Sequence, residues 1–243
     1  MSSVNGMRVL VTGASSGLGA ECSLAFASRG ASVISVARRR SRLTQVERRI
    51  RSLGGRAVSI AADLTKVADI ERTATIVGKE GGVDILINNA GIYLEDSPLI
   101  ETKLSDWNQL INTNLRSSYL LCKYLVPGMV SRAYGRILNV TSATNHLAGV
   151  GVFRISKISL EVLTAVLAEE LEGTGVTATA LNPGWMRTET CCDGRSPRNV
   201  ARVVIDLVER SPAFLNGTFI DLKWRGRIAQ LCRRPQGRGR YGF

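Results

Sequence analysis

Thr12-Gly13-Ala14-Ser15-Ser16-Gly17-Leu18-Gly19 stands directly after the apolar run Val9-Leu10-Val11 and opens a helical pattern at Leu18. Glycines here let the backbone turn tightly and approach a diphosphate, whose charge then rests on N–H groups at the positive end of the helix. A glycine-rich turn alone is a weak signal, but between a strand and a helix it is a strong one. It predicts a nucleotide-binding strand-turn-helix unit with Gly13, Ser15, Ser16, Gly17, Leu18 and Gly19 around the phosphates.

Outward from this turn, short β-branched runs alternate with longer helical patterns. Residues 8–11, 32–36, 57–60, 85–87, 136–140 and 176–181 read as buried strands, and 217–220 as a last one. Residues 18–28, 43–53, 68–77, 107–130, 155–172 and 199–209 carry helical periodicity between them. In the fifth, Ile155, Ile158, Val162 and Val166, with Leu163, Leu167 and Leu171, recur at spacings of three and four and predict an apolar face. This alternation gives parallel strands with crossover helices. The expected fold is a single-domain α/β doubly wound parallel sheet of Rossmann type over residues 1–223, followed by a basic, flexible tail over 224–243.

Further motifs follow in order: Asn88-Asn89-Ala90-Gly91 after the fourth strand, Trp107 with Asn114, Ser142 after the fifth strand, Lys157, and Pro183-Gly184 with Thr188 after the sixth. With the spacing T-G-x-x-x-G-x-G they make the chain, from about Met7 to Ile220, resemble the short-chain dehydrogenase/reductase family. Arg154-Ile-Ser-Lys157 and Pro183-Gly-Trp-Met-Arg-Thr188 look most like its carbonyl-reductase type. The resemblance implies an oxidoreductase that interconverts ketones and secondary alcohols. It also implies cofactor contacts at Asp63, Leu64, Asn89, Ala90, Gly91, Lys157, Pro183, Gly184 and Thr188.

Cofactor choice is read at the end of the second strand. A carboxylate there would hold the ribose diol of NAD, whereas NADP presents a phosphate to be neutralised. No Asp or Glu occurs from Ala31 through Val46, and Ala37 is followed by Arg38-Arg39-Arg40. Guanidinium meets phosphate with two hydrogen bonds. NADP(H) is therefore the expected cofactor, with Arg38 the main contact and Arg39 assisting.

In the family a tyrosine protonates the carbonyl oxygen, a serine holds it, a lysine lowers the tyrosine pKa and binds ribose, and an asparagine supports a water relay. Asn114, Ser142 and Lys157 match three of these positions. Phe153, four before Lys157, stands where the tyrosine is expected, and a phenyl ring donates no proton. Three readings follow: a reductase severely impaired by Phe153; a non-redox dehydratase, isomerase or cyclase using His146, the only histidine; or a catalytically inactive NADP(H)-binding protein. Tyr93, His146, Val150, Trp185 and Met186 are candidate walls of the substrate pocket, with Tyr93 also able to present a phenol.

Composition narrows the partners. The net charge of +12 is concentrated at the end, where Lys223, Arg225, Arg227, Arg233, Arg234, Arg238 and Arg240 occupy the last 21 positions. A solvated tail, rather than a nucleic-acid surface, is the expectation. No run approaches the roughly 18 apolar residues of a membrane span, and no leader precedes Val9, so a soluble, unprocessed protein is expected. Five scattered cysteines without C-x-x-C spacing predict no metal site and a reduced cytoplasm. The resemblance implies a homodimer or homotetramer, and a short segment between Thr188 and Pro197 suggests an open cleft for a small-molecule or carrier-linked carbonyl substrate.

Overall fold

The computed structural model describes residues 4–94, 98–142, 151–187, 194–210, 216–222 and, by backbone, 228–232. Its strands are β1 (Arg8–Thr12), β2 (Ser32–Ala37), β3 (Arg56–Ala61), β4 (Ile85–Asn88), β5 (Gly135–Val140), β6 (Val176–Asn182), β7 (Phe219–Leu222) and β8 (Ile228–Cys232). They form one sheet in the order β3-β2-β1-β4-β5-β6-β7-β8. Every pairing is parallel except β7 with β8. The doubly wound parallel sheet is thus present. The sequence did not predict β8, whose short backbone run lies inside the segment expected as a tail.

The helices are α1 (Gly17–Ser28), α2 (Arg40–Ser52), α3 (Val67–Lys79), α4 (Leu104–Ile111), α5 (Ser117–Ser131), α6 (Gly151–Glu170) and α7 (Pro197–Val208). A parallel strand alternates its side chains between two covered faces, and β1 does so: Val9 and Val11 join the core beneath α1, α2 and α7, while Leu10 joins the core beneath α3 and α5. Strand order reverses at β1, which pairs with β2 on one side and β4 on the other. Ligands of open α/β sheets bind where such a reversal opens a crevice at the carboxyl ends of the strands.

Two helices differ from expectation in ways that shape the site. The stretch read as one helix over 107–130 is α4 and α5 joined by a π-helical turn, Asn112–Arg116, in the middle of which Asn114 is wholly buried. A π turn carries one extra residue, so it re-aims a side chain without ending the helix. In α6 the faces are also not as periodicity suggested. Val162 and Val166 are exposed, whereas the face laid on the sheet carries Val152, Ser156, Lys157, Leu160, Thr164 and Ala168. Polar groups survive there because each has a partner, as described next.

Candidate nucleotide cleft and catalytic frame

The glycine turn is held in a shape that only glycine takes easily. Gly13 and Gly17 have φ of 65° and 53°. At Gly19 the limit is space, since an added Cβ would lie 2.4 Å from the Gly13 carbonyl oxygen. The turn is fastened to the neighbouring strand by Thr12. Its hydroxyl accepts from the amides of Asn89 and Ala90, both at 2.9 Å, and donates to the Ile87 carbonyl at 3.3 Å. Asn89 returns a bond, Nδ2 donating to the Thr12 carbonyl at 2.8 Å. The two strand ends beside the topological reversal are thereby locked together.

Over those ends lies a cleft lined by Gly13, Ser15, Ser16, Arg38, Arg39, Asp63, Leu64, Ala90 and Gly91, all of them predicted, and by Ala37, Ala62, Thr65, Ile92 and Thr113. Arg39 reaches back across its mouth, Nη2 donating to Ser16 Oγ at 2.6 Å and Ser15 Oγ at 3.2 Å. Arg38, the expected main phosphate contact, lines the same cleft, and Arg39 is the one bonded to the turn. Asp63 faces its own loop, Oδ1 accepting from the amide and hydroxyl of Thr65. Leu18 and Gly19 are buried as the start of α1, so they shape the turn from beneath.

The second half of the site is a chain of buried polar groups. Asn114 Oδ1 accepts from the Ile92 amide at 2.8 Å, and Nδ2 donates to the Ile92 carbonyl and to Ser156 Oγ, both at 3.0 Å. Ser156 then donates to the Phe153 carbonyl at 2.7 Å. Lys157 donates to the Val140 carbonyl at 2.9 Å, and burial pulls its pKa down to about 8. Deeper, Asn88 donates to Asn139 and Asn139 to Thr164, each at 2.8 Å, pinning α6 to β4 and β5. Gly91 leaves room for the ammonium, since a Cβ there would stand 3.1 Å from Lys157 Nζ.

Phe153 sits in this frame with Lys157 Nζ 5.9 Å from its ring centre and Tyr93 packed edge to face at 5.5 Å. Tyr93 and Trp185 are exposed, while Met186, read as a pocket wall, packs half-buried against the core. Ser142 lies just past β5, half-buried. Pro183 is buried, and Gly184 at φ 69° donates its amide to Asn182 Oδ1 at 3.0 Å. His146, Val150 and Thr188 lie outside the described residues. No group of acidic, histidine or cysteine side chains suited to a metal ion occurs among the described residues. Thr12 stands in the motif without a role read for it, and Asn139, Ser156 and Thr164 are not singled out by the sequence; the polar residues Ser156 and Thr164, two turns apart within an apolar helix, were the one available hint.

The motifs, the reversal at β1 and this frame are those of one family, and its model, described as short chain dehydrogenase, matches residues 7–198. The chain belongs to the short-chain dehydrogenase family. The chain is 32% identical over 226 residues to the ketoacyl reductase HetN of Nostoc, covering 86% of this chain and 77% of that protein. It is 31% identical to the 3-oxoacyl-[acyl-carrier-protein] reductase FabG of Vibrio harveyi over 88% of this chain and 94% of that one. Among solved structures, a metagenomic short-chain oxidoreductase in complex with NADP superposes with a TM-score of 0.81 at 32% identity, covering 91% of this chain and 97% of the other. No helix of the described residues is long and apolar enough to cross a membrane.

Proposed function

We propose that this short-chain dehydrogenase binds NADP(H) and interconverts a ketone and a secondary alcohol at a rate held down by the lack of a phenol at position 153. The observation that carries this is the buried Lys157 ammonium facing a phenyl ring at 5.9 Å. Arg39, bonded to Ser15 and Ser16, and Arg38 beside it offer guanidinium at the cleft mouth, where no carboxylate precedes Glu47 on that strand-helix segment. That charge suits a ribose phosphate and gives a bare diol no acceptor. The glycine turn and the Thr12 clasp fit a dinucleotide's diphosphate.

Hydride transfer to or from the carbonyl carbon is the chemistry the dinucleotide supplies when bound. The chain's own groups handle the oxygen. Ser142 holds it by hydrogen bond, Lys157 holds ribose and keeps a positive field on the site, and Asn114 fixes the Ile92 backbone against α6. Proton delivery is the missing part. Calorimetric titration tests the cofactor reading: NADPH should bind at least about ten-fold more tightly than NADH, as expected for one well-met phosphate. Comparable affinities would refute it.

The edge-to-face contact of Tyr93 on Phe153 favours one variant of this reading, in which Tyr93 supplies the proton slowly from the next position. Tyr93→Phe should then remove what turnover exists and leave NADPH affinity unchanged; unchanged turnover discards the variant. A carrier-linked β-keto substrate is supported by likeness to the acyl-carrier-protein reductases. Self-association is supported by the exposed apolar side chains Tyr119, Val162 and Val166 on α5 and α6.

A further inference from the structure

Between α1, α2 and the start of α7, on the helix-covered side of the glycine turn, lies a groove of ≈ 470 Å³. That volume is within the range of small-molecule sites, roughly 300–1,000 Å³. Among the described residues, four guanidinium side chains line it, Arg42 and Arg49 from α2, Arg187 from the end of the β6 loop and Arg198 from α7, with the carboxylate of Glu21. It shares only Ser15 and Ser16 with the dinucleotide cleft, which lies instead over Ala37, Asp63 and Ala90 at the strand ends.

A solvated basic helix face would account for Arg42 and Arg49, one α2 side chain two turns from the other. It does not account for Arg187 and Arg198, which arrive from separate elements. Arg187 is held by a short ladder, its amide donating to the Arg195 carbonyl at 2.9 Å and the Arg195 amide to the Trp185 carbonyl at 2.8 Å. Arg195 itself buries Nη2 without a hydrogen-bond partner. Arginines converging from separate elements make the concavity basic, and the guanidinium fork matches phosphate oxygens two at a time.

We infer that this groove binds a phosphorylated small molecule of nucleotide size, distinct from the dinucleotide, through Arg42, Arg49, Arg187 and Arg198. The ligand can be a nucleoside bisphosphate or the phosphate-bearing end of a thioester carrier, which share this chemistry.

The test is titration of the full chain, saturated with NADPH, with inorganic pyrophosphate and with adenosine 3′,5′-bisphosphate. Saturable, salt-sensitive binding is expected, weakened at least about ten-fold by Arg49→Gln with Arg198→Gln, whose side chains are exposed on helix surfaces. NADPH affinity should move by less than about two-fold in that variant, since neither side chain touches the dinucleotide cleft. Arg42→Gln with Arg187→Gln gives a second pair should the first fold poorly. Absence of saturable binding, indifference to both pairs, or stoichiometric displacement by NADPH overturns the inference. Equal affinity for the two probes overturns its nucleotide-size part and leaves a diphosphate site. A chain that binds pyrophosphate, loses it in the variants and ignores NADPH keeps the groove and discards the cofactor reading.

Discussion

Replacing Phe153 by tyrosine adds one oxygen beside the Lys157 ammonium, and the consequence can be worked out. Taking the 5.9 Å from Nζ to the ring centre as the scale of the separation, a unit charge pair at an effective dielectric constant near 20 interacts by about 3 kcal/mol. While Lys157 carries its charge, the new phenol should therefore titrate below its ordinary value near 10, toward the range where proton transfer to a carbonyl oxygen at neutral pH is efficient. A positioned acid contributes about 10²–10⁴ in rate, equivalent to roughly 3–5 kcal/mol of barrier. Phe153 is only partly buried, so one added oxygen requires little repacking. The assay is NADPH oxidation against a panel of ketones and quinones, with NADPH affinity measured alongside. A variant that binds NADPH normally and gains less than about ten-fold on every substrate would refute the claim that the absent phenol limits this enzyme.

Three further outcomes are expected. Arg38→Ser with Arg39→Ser should weaken NADPH by about ten-fold or more and leave NADH nearly unchanged, as read by calorimetry. Gly19→Ala puts a methyl 2.4 Å from the Gly13 carbonyl, and should destabilise the fold by about 1–3 kcal/mol or more and abolish nucleotide binding, as denaturant melts and titration would record. Burial lowers the Lys157 pKa to about 8, so between that value and the unfolded value of about 10.4 the unfolded chain carries the extra proton and stability rises with pH. The penalty is fully present below pH 8. Lys157→Met lacks that titration, so the stability difference, wild type minus variant, should increase from pH 7 to pH 10; a flat difference contradicts a proton-linked penalty.

The parts of the fold written in local chemistry were readable. A diphosphate needs glycines and a helix start in contiguous sequence, so Gly13 to Gly19 announced themselves, and Asn88 to Gly91 followed the strand that meets them. Longer-range matters were not. Periodicity predicted an apolar face on α6, but Ser156, Lys157 and Thr164 face the sheet because partners on β5 and the π turn satisfy them. Hydrophobic spacing carries no information about such partners. The π turn at Asn114 has the composition of ordinary helix, and the extra residue shows only in three dimensions. Nor could Arg187 and Arg198 be matched with Arg42 and Arg49, since their meeting depends on where α7 docks against α1.

The toothed underside of α6 has a mechanical consequence. Ser156 meshes with Asn114 on the π turn, and Lys157 and Thr164 mesh with Val140 and Asn139 on β5, so sliding the helix by a single turn would unseat all three at once. Such a rod has one seat and no neighbouring notch. Whatever side chain occupies position 153 is thus presented at a fixed height above the sheet, and chemistry can be swapped there without re-aiming the machinery that carries it.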